Sequence, residues 1–296
     1  MAARRDEKNT DPWASLCKRR LIAAILGAAD LFPHPGEDEG ERIHAARKAL
    51  KEARALAKLM TGVIGAPAYE VVRELETARR RMGRARDLDV MPDALASLGG
   101  WVENQSIVAL GQAIVSERER ARAAHREIDV GAQATRLRAL ARGIEAWDLT
   151  GIDLSDIAEA LRNAYRAARR RGRRALESGD AHELHELRAA IVDLGHYFEA
   201  LEPAWPAHFS AYAEELHRMR ELLGKHNDLT VLAEFALSRR EVSAAQNAAL
   251  SHAVERLQKR LAKRAERQFE RLFAERPNAL ADRLTAYLDN PKKKKF

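Results

Sequence analysis

Histidine and basic residues recur at helical spacing in two parts of this chain. In the first part, four side chains lie three, four and three residues apart and share one face of a helix: His44, Arg47, Lys51 and Arg54. The nearest carboxylates along the chain, Glu41 and Glu52, are too few to neutralise the row. Guanidinium and imidazole N–H groups are good donors to phosphate oxygens, so these positions predict contacts to an anion.

The same pattern returns 141 positions later, which indicates an internal repeat. The repeated pair is His185 and Arg188, and the basic positions Lys51 and Arg54 have Val192 and Gly195 as partners. We therefore expect two helical repeats, over 1–150 and 151–290, followed by a basic tail over 291–296. A purely structural role is the alternative for each histidine. For the tail, a solubilising end and a tether for the same anion are both open.

Further basic rows follow at the same helical spacing. The segment 166–174 holds six arginines in nine positions. Like charges three and four residues apart repel one another, and a bound polyanion would relieve that cost, although a solvated face is the alternative. The candidate anion-binding residues of these rows are Arg118, Arg122, Arg126, Arg162, Arg166, Arg169, Arg170, Arg173, Lys259, Lys263 and Arg267, with Arg84 and Lys225 beside them.

A repeated turn follows each histidine helix. Gly83 precedes Asp87, and Gly224 precedes Asp228. We expect each glycine to end one helix and each aspartate to cap the next, so that helices cover 207–223 and 229–240 in the second copy. A metal-binding carboxylate pair is the alternative, but Asp89 has Thr230 as its partner in the second copy.

The composition predicts an all-α protein. Alanine, leucine, arginine and glutamate dominate, with only 16 glycines and 9 prolines among 296 residues. Helices joined by short loops pack antiparallel, so each repeat should form a four-helix-type bundle. The sole cysteine, Cys17, excludes an intramolecular disulfide. With no apolar leader and no membrane-length apolar run, the chain is expected to be cytoplasmic, without a membrane partner.

The charge balance favours a binding protein with an anionic partner. The formal net charge is +7. The sequence lacks a phosphate-binding glycine loop, a nucleophile elbow and a metal-binding histidine motif. We therefore expect no catalysis, no metal and no cofactor. Nucleic acid is an alternative ligand, disfavoured by an aromatic content of 5% without a stacking cluster. A metal-dependent phosphohydrolase is a second alternative.

These motifs together resemble the CHAD domain, the conserved-histidine α-helical domain, in a phosin-like, stand-alone form without a triphosphate-tunnel domain. The resemblance rests on the His44 row, the Tyr165–Arg166 basic helix, the His185-Glu186-Leu187-Arg188 motif and the two turns. It implies two four-helix bundles related by a pseudo-two-fold, with a central basic cleft that binds inorganic polyphosphate. It also implies association with polyphosphate granules and their other proteins. The family pattern has basic residues where Val192 and Gly195 stand, so the two rows are unequal.

Overall fold

A computed structural model describes residues 11–31, 39–81, 85–125, 130–239 and 242–289 of the chain. Within these ranges the chain forms eleven α-helices and one short 3-10 helix at Glu202–Ala204. The α-helices are α1 (Pro12–Leu31), α2 (Glu39–Ile64), α3 (Ala66–Arg81), α4 (Ala85–Ala96), α5 (Asn104–His125), α6 (Val130–Glu145), α7 (Leu154–Ser178), α8 (Ala181–Ala200), α9 (Pro206–Leu237), α10 (Ala244–Leu272) and α11 (Pro277–Leu288). The predicted all-α class is confirmed.

Capping residues define both ends of α7 and the start of α8. The Asp153 carboxylate accepts from the backbone N–H of Ser155 at 2.7 Å, which caps the first turn of α7. Gly179 ends the helix with a left-handed φ of 65°, a conformation that favours glycine. Asp180 then caps α8 by accepting from the N–H of Glu183 at 2.9 Å. Because only two residues separate α7 from α8, the two helices pack antiparallel.

Buried apolar side chains form three clusters. The first holds residues of α1, α2, α3 and α6 together with Ala200 at the end of α8. The second holds α7, α8, α11, the first half of α9 and the C-terminal end of α10, together with parts of α1, α2 and α3. The third joins α4 and α5 to the second half of α9 and most of α10. All three clusters therefore include residues of both halves of the chain, so the two halves do not bury separate cores.

The expected helix break in the second half is absent, because α9 runs unbroken from Pro206 to Leu237. Gly224 is buried inside this helix, and Asp228 also lies inside it rather than ahead of a new one. The prediction of a glycine stop and an aspartate cap is therefore wrong here. In the first half, Gly83 lies outside the described residues and Asp87 falls within α4.

Candidate functional site

An ion pair holds α2 against α8. Arg54 donates from Nη2 to Asp193 Oδ1 at 2.9 Å, and Lys58 Nζ lies 3.0 Å from Asp193 Oδ2. Glu76 of α3 is also 3.7 Å from Arg54 Nη1. The Arg54 side chain is only 13% exposed, so the structure assigns it to helix packing rather than to an open anion-binding row. The expectation that too few carboxylates neutralise the row is wrong for Arg54, because Asp193 and Glu76 come from other helices.

Two further contacts place α2 among its neighbours. A Cβ added at Gly62 would lie 3.0 Å from the Cβ of Ala160, so the C-terminal end of α2 packs closely against the start of α7. Arg20 of α1 donates from Nη1 to the carbonyl oxygen of Glu199, near the end of α8, and from Nη2 to Glu52 of α2 at 3.3 Å. The end of α8 therefore lies near residue 52 of α2, on the N-terminal side of Arg54.

The two histidine motifs lie on the two helices that the Arg54–Asp193 ion pair joins. Arg47 lies seven residues before Arg54 on α2, and Arg188 lies five residues before Asp193 on α8. At about 1.5 Å per residue, each arginine is roughly 8 to 10 Å from the ion pair along its own helix. We call these five residues the α2–α8 surface: His44, Arg47, Lys51, His185 and Arg188. The two histidines are exposed, and the three cations are half-buried.

The middle of α9 borders the α2–α8 surface. His185 Nδ1 lies 3.0 Å from Asn227 Oδ1, so the amide fixes the orientation of the imidazole ring. Arg188 lies against Gly224, where an added Cβ would be 3.4 Å from the guanidinium Nε. Lys225 is exposed on the next position of α9. The motif predicted as a turn is therefore the helical surface that orients His185 and Arg188. Sequence reasoning missed Asn227 as a positioning residue, although it directly precedes Asp228 of the predicted turn.

The arginine-rich segment of α7 lies on a different face of the molecule. Ala160, which contacts α2, and Arg169 are nine residues apart, which is two and a half helical turns. The two side chains therefore project from opposite sides of α7. Arg169 donates from Nε to the carbonyl oxygen of Phe273, at the end of α10, at 2.9 Å. Arg169 therefore lies on the side of α7 away from Ala160, next to the end of α10.

On that second face is a cavity of about 430 Å³, which we call the α7 groove. It is lined by Arg166, Arg169, Arg170, Arg173, Arg174, Glu177 and Pro277. Arg174 pairs with Glu183 at 2.7 Å. Arg162, one turn before the groove, pairs with Glu159 at 2.8 Å. For the other predicted cations of the groove, Arg166, Arg170 and Arg173, no carboxylate of the described chain lies within 4.0 Å.

The other predicted residues with described side chains lie on α5 and α10. Lys259, Lys263 and Arg267 are exposed on α10, on the face opposite its buried Leu261 and Ala265. Arg118 is half-buried on α5. None of these four residues lines the α7 groove. Two predicted residues, Arg84 and Arg126, lie outside the described residues, as does the basic tail, and the side chain of Arg122 is likewise not described.

Two predicted alternatives can be compared with the side-chain geometry. Thr230, the partner of Asp89, accepts from Gln258 Nε2 at 2.8 Å and so helps to pack α9 on α10. Among residues whose side chains are described, no three histidine, cysteine or carboxylate groups form a cluster that could hold a metal ion. In the part of the chain that the structure describes, no helix has the length and apolarity needed to cross a membrane.

Comparison with known proteins agrees with the fold. The crystal structure of the CHAD domain from the plant Ricinus communis superimposes with a TM-score of 0.57 at 19% sequence identity, covering 96% of this chain and 94% of that chain. No curated protein matches the chain. The family model of the CHAD domain matches residues 20–237, which include α2, α7, α8 and nearly all of α9. The chain therefore belongs to the CHAD domain family.

Proposed function

We propose that this protein binds inorganic polyphosphate without catalysing its conversion, and that the α2–α8 surface is the principal site. One observation carries the proposal. The Arg54–Asp193 ion pair joins the two helices that carry the His–Arg pairs, which are 141 positions apart in the sequence. Membership of the CHAD domain family is compatible with this ligand.

The chemistry of the surface suits a chain of phosphates. Polyphosphate carries negative charge on every unit and has no sequence to read, so rows of cations on rigid helices suffice for recognition. Arg47 and Arg188 can each give two parallel N–H donors to one phosphate, while Lys51 supplies a compact positive charge. Since α8 carries Val192 at the position of Lys51, the α2 row should bind more strongly than the α8 row.

The proposal extends to the cellular setting. A protein that binds polyphosphate by charge would collect where the polymer is stored, and we propose that it associates with polyphosphate granules and the proteins on them. Nucleic acid shares the repeating phosphate charge, so competition by DNA and RNA belongs in the test.

The decisive experiment compares two double variants that lose the same charge. Arg47→Ala with Arg188→Ala removes one cation from each helix of the α2–α8 surface. The control, Arg73→Ala with Arg218→Ala, removes two exposed arginines that pair with neighbouring glutamates on α3 and α9. We expect at least tenfold weaker binding of long-chain polyphosphate in the first variant and less than a twofold change in the control. Circular dichroism should show native helix content in both.

Salt dependence gives a second measurement on the same variants. Each lost phosphate contact lowers the slope of log affinity against log salt by about 0.7 to 0.9, so the site variant should lose roughly 1.5. Equal affinities and slopes for the site variant and its control would overturn the α2–α8 assignment. Tighter binding of DNA or RNA than of polyphosphate would instead make nucleic acid the ligand.

A further inference from the structure

We propose that the α7 groove is a second, independent polyphosphate site, so that one molecule can hold two stretches of polymer on opposite sides. This inference rests on the proposed function, because it assigns the same class of ligand to both faces. A second site has a consequence that a single site lacks, because a bivalent protein can link separate polyphosphate chains.

The first argument is the chemistry of the groove. Five arginines line it, against one carboxylate, that of Glu177. Arg166, Arg170 and Arg173 are exposed, and among the described side chains none supplies them with an ion-pair partner. Like charges at this spacing repel, and phosphate groups between them would relieve the repulsion. The groove has a volume of about 430 Å³.

The second argument is that packing fixes the walls of the groove. Gly172 lies within the arginine run, and any Cβ there would overlap the ring of Phe269, so α7 and α10 approach closely at this point. Tyr165 stacks on Phe273 with ring centroids 4.9 Å apart and donates to the carbonyl oxygen of Glu275. The bond from Arg169 to Phe273 then holds one guanidinium at the groove wall. The backbone of the groove and the Arg169 guanidinium are therefore in place before any ligand binds, which lowers the entropic cost of binding.

The body of α8 separates the two sites. Glu183 of α8 pairs with Arg174 of the groove at 2.7 Å, whereas His185, on roughly the opposite side of the same helix, contacts Asn227 of α9. A phosphate oligomer of three units is too short to pass around a helix about 10 Å in diameter and reach both faces. Tripolyphosphate should therefore occupy the two sites separately.

Tripolyphosphate titration by calorimetry tests the proposal at low salt. The wild-type protein should bind two equivalents. Arg170→Ala with Arg173→Ala should bind one, and Arg47→Ala with Arg188→Ala should also bind one. Arg73→Ala with Arg218→Ala, which removes the same charge from exposed positions of α3 and α9, should still bind two. The groove substitutions lie on an exposed helical face, so thermal unfolding should remain as in the wild type.

Long-chain polyphosphate gives a readout specific to bivalency. The wild-type protein should link chains into assemblies that scatter light, whereas the groove variant should bind each chain with little scattering. A single tripolyphosphate equivalent in the wild type, unaffected by the groove substitutions, would overturn this inference and leave the proposed function intact. A single equivalent lost only in the groove variant would instead move the principal site to α7 and refute both the α2–α8 assignment and bivalency.

Discussion

Replacing Asp193 by asparagine should destabilise the protein, because this carboxylate ties α2 to α8. Asp193 accepts from Arg54 at 2.9 Å and from Lys58 at 3.0 Å, and its side chain is 10% exposed. Removing one partner of a fully buried ion pair costs about 3–5 kcal/mol, whereas an exposed pair contributes about 0–1 kcal/mol. Lys58 is 36% exposed and Glu76 remains 3.7 Å from Arg54, so the loss should be intermediate. We expect the free energy of unfolding to fall by roughly 2–3 kcal/mol.

Urea unfolding followed by circular dichroism measures this change. The matched control is Glu70→Gln, which also neutralises a carboxylate paired with an arginine, but at a site where both side chains are more than 60% exposed. That control should lose less than about 0.5 kcal/mol. The contrast between the variants isolates the effect of burial, since the chemical change is the same.

A double-mutant cycle assigns the loss to the pair. Arg54→Met in the Asp193→Asn background should cost less than Arg54→Met alone, because the arginine has already lost its main partner. The reasoning is refuted if Asp193→Asn and Glu70→Gln lower the unfolding free energy by the same amount. It is also refuted if the two substitutions at the pair are simply additive.

Three further outcomes test particular residues. Gly224→Ala should raise the free energy of unfolding by about 0.5–1 kcal/mol, because alanine stabilises the interior of a helix relative to glycine. Gly172→Ala should lower the free energy of unfolding by about 1–3 kcal/mol, because the added Cβ overlaps the ring of Phe269. If urea unfolding showed that Gly224→Ala destabilises the protein, that result would contradict the unbroken α9. Burial lowers the pKa of His226 below its ordinary value of 6.5, so the unfolded state takes up a proton first and stability should decline as pH falls through about 6.5. His226→Leu should flatten that decline in unfolding measurements, and an unchanged pH slope would exclude His226 as its source. Burial raises the pKa of the Cys17 thiol to about 12, so iodoacetamide at pH 8 should label it only after unfolding; rapid labelling of the native protein would show that α1 opens locally.

The basic rows could be found from sequence because their spacing is a local property. The residues Arg166, Arg169 and Arg173 were predicted to share one helical face, and they do line one groove. Helical spacing predicts which residues share one face of a helix, but it does not predict which other helix packs next to that face. That the groove faces the end of α10, and not α2, depends on which side of α7 each helix packs against.

The role of Arg54 could not be predicted for a similar reason. Its spacing places it in the row with Arg47, but its partner Asp193 lies 139 positions away in the sequence. The packing of α8 on α2 brings that carboxylate next to it. One long-range ion pair thus engages Arg54 and joins the two helices that carry the histidine motifs.

The second-half motif at Gly224 was misread because the hydrophobic pattern changes phase there. Leu216, Met219 and Leu223 face the second apolar cluster, whereas Leu229 and Leu232 face the third. At 100° per residue these two sets point to roughly opposite sides of α9, a change that from sequence resembles the end of one helix and the start of another. In the structure α9 continues without a break, and its first half packs on the second apolar cluster while its second half packs on the third.

That change of phase explains why the motif borders the site. Around the crossover, α9 turns from one apolar core to another, and a polar strip of the helix faces α8. Gly224 leaves room there for the Arg188 guanidinium, and Asn227 holds the ring of His185. A larger side chain in place of Gly224 would compete with Arg188 for that space. Gly224 and Asn227, which in the sequence resemble the end of a helix, therefore contact and orient the His185–Arg188 pair.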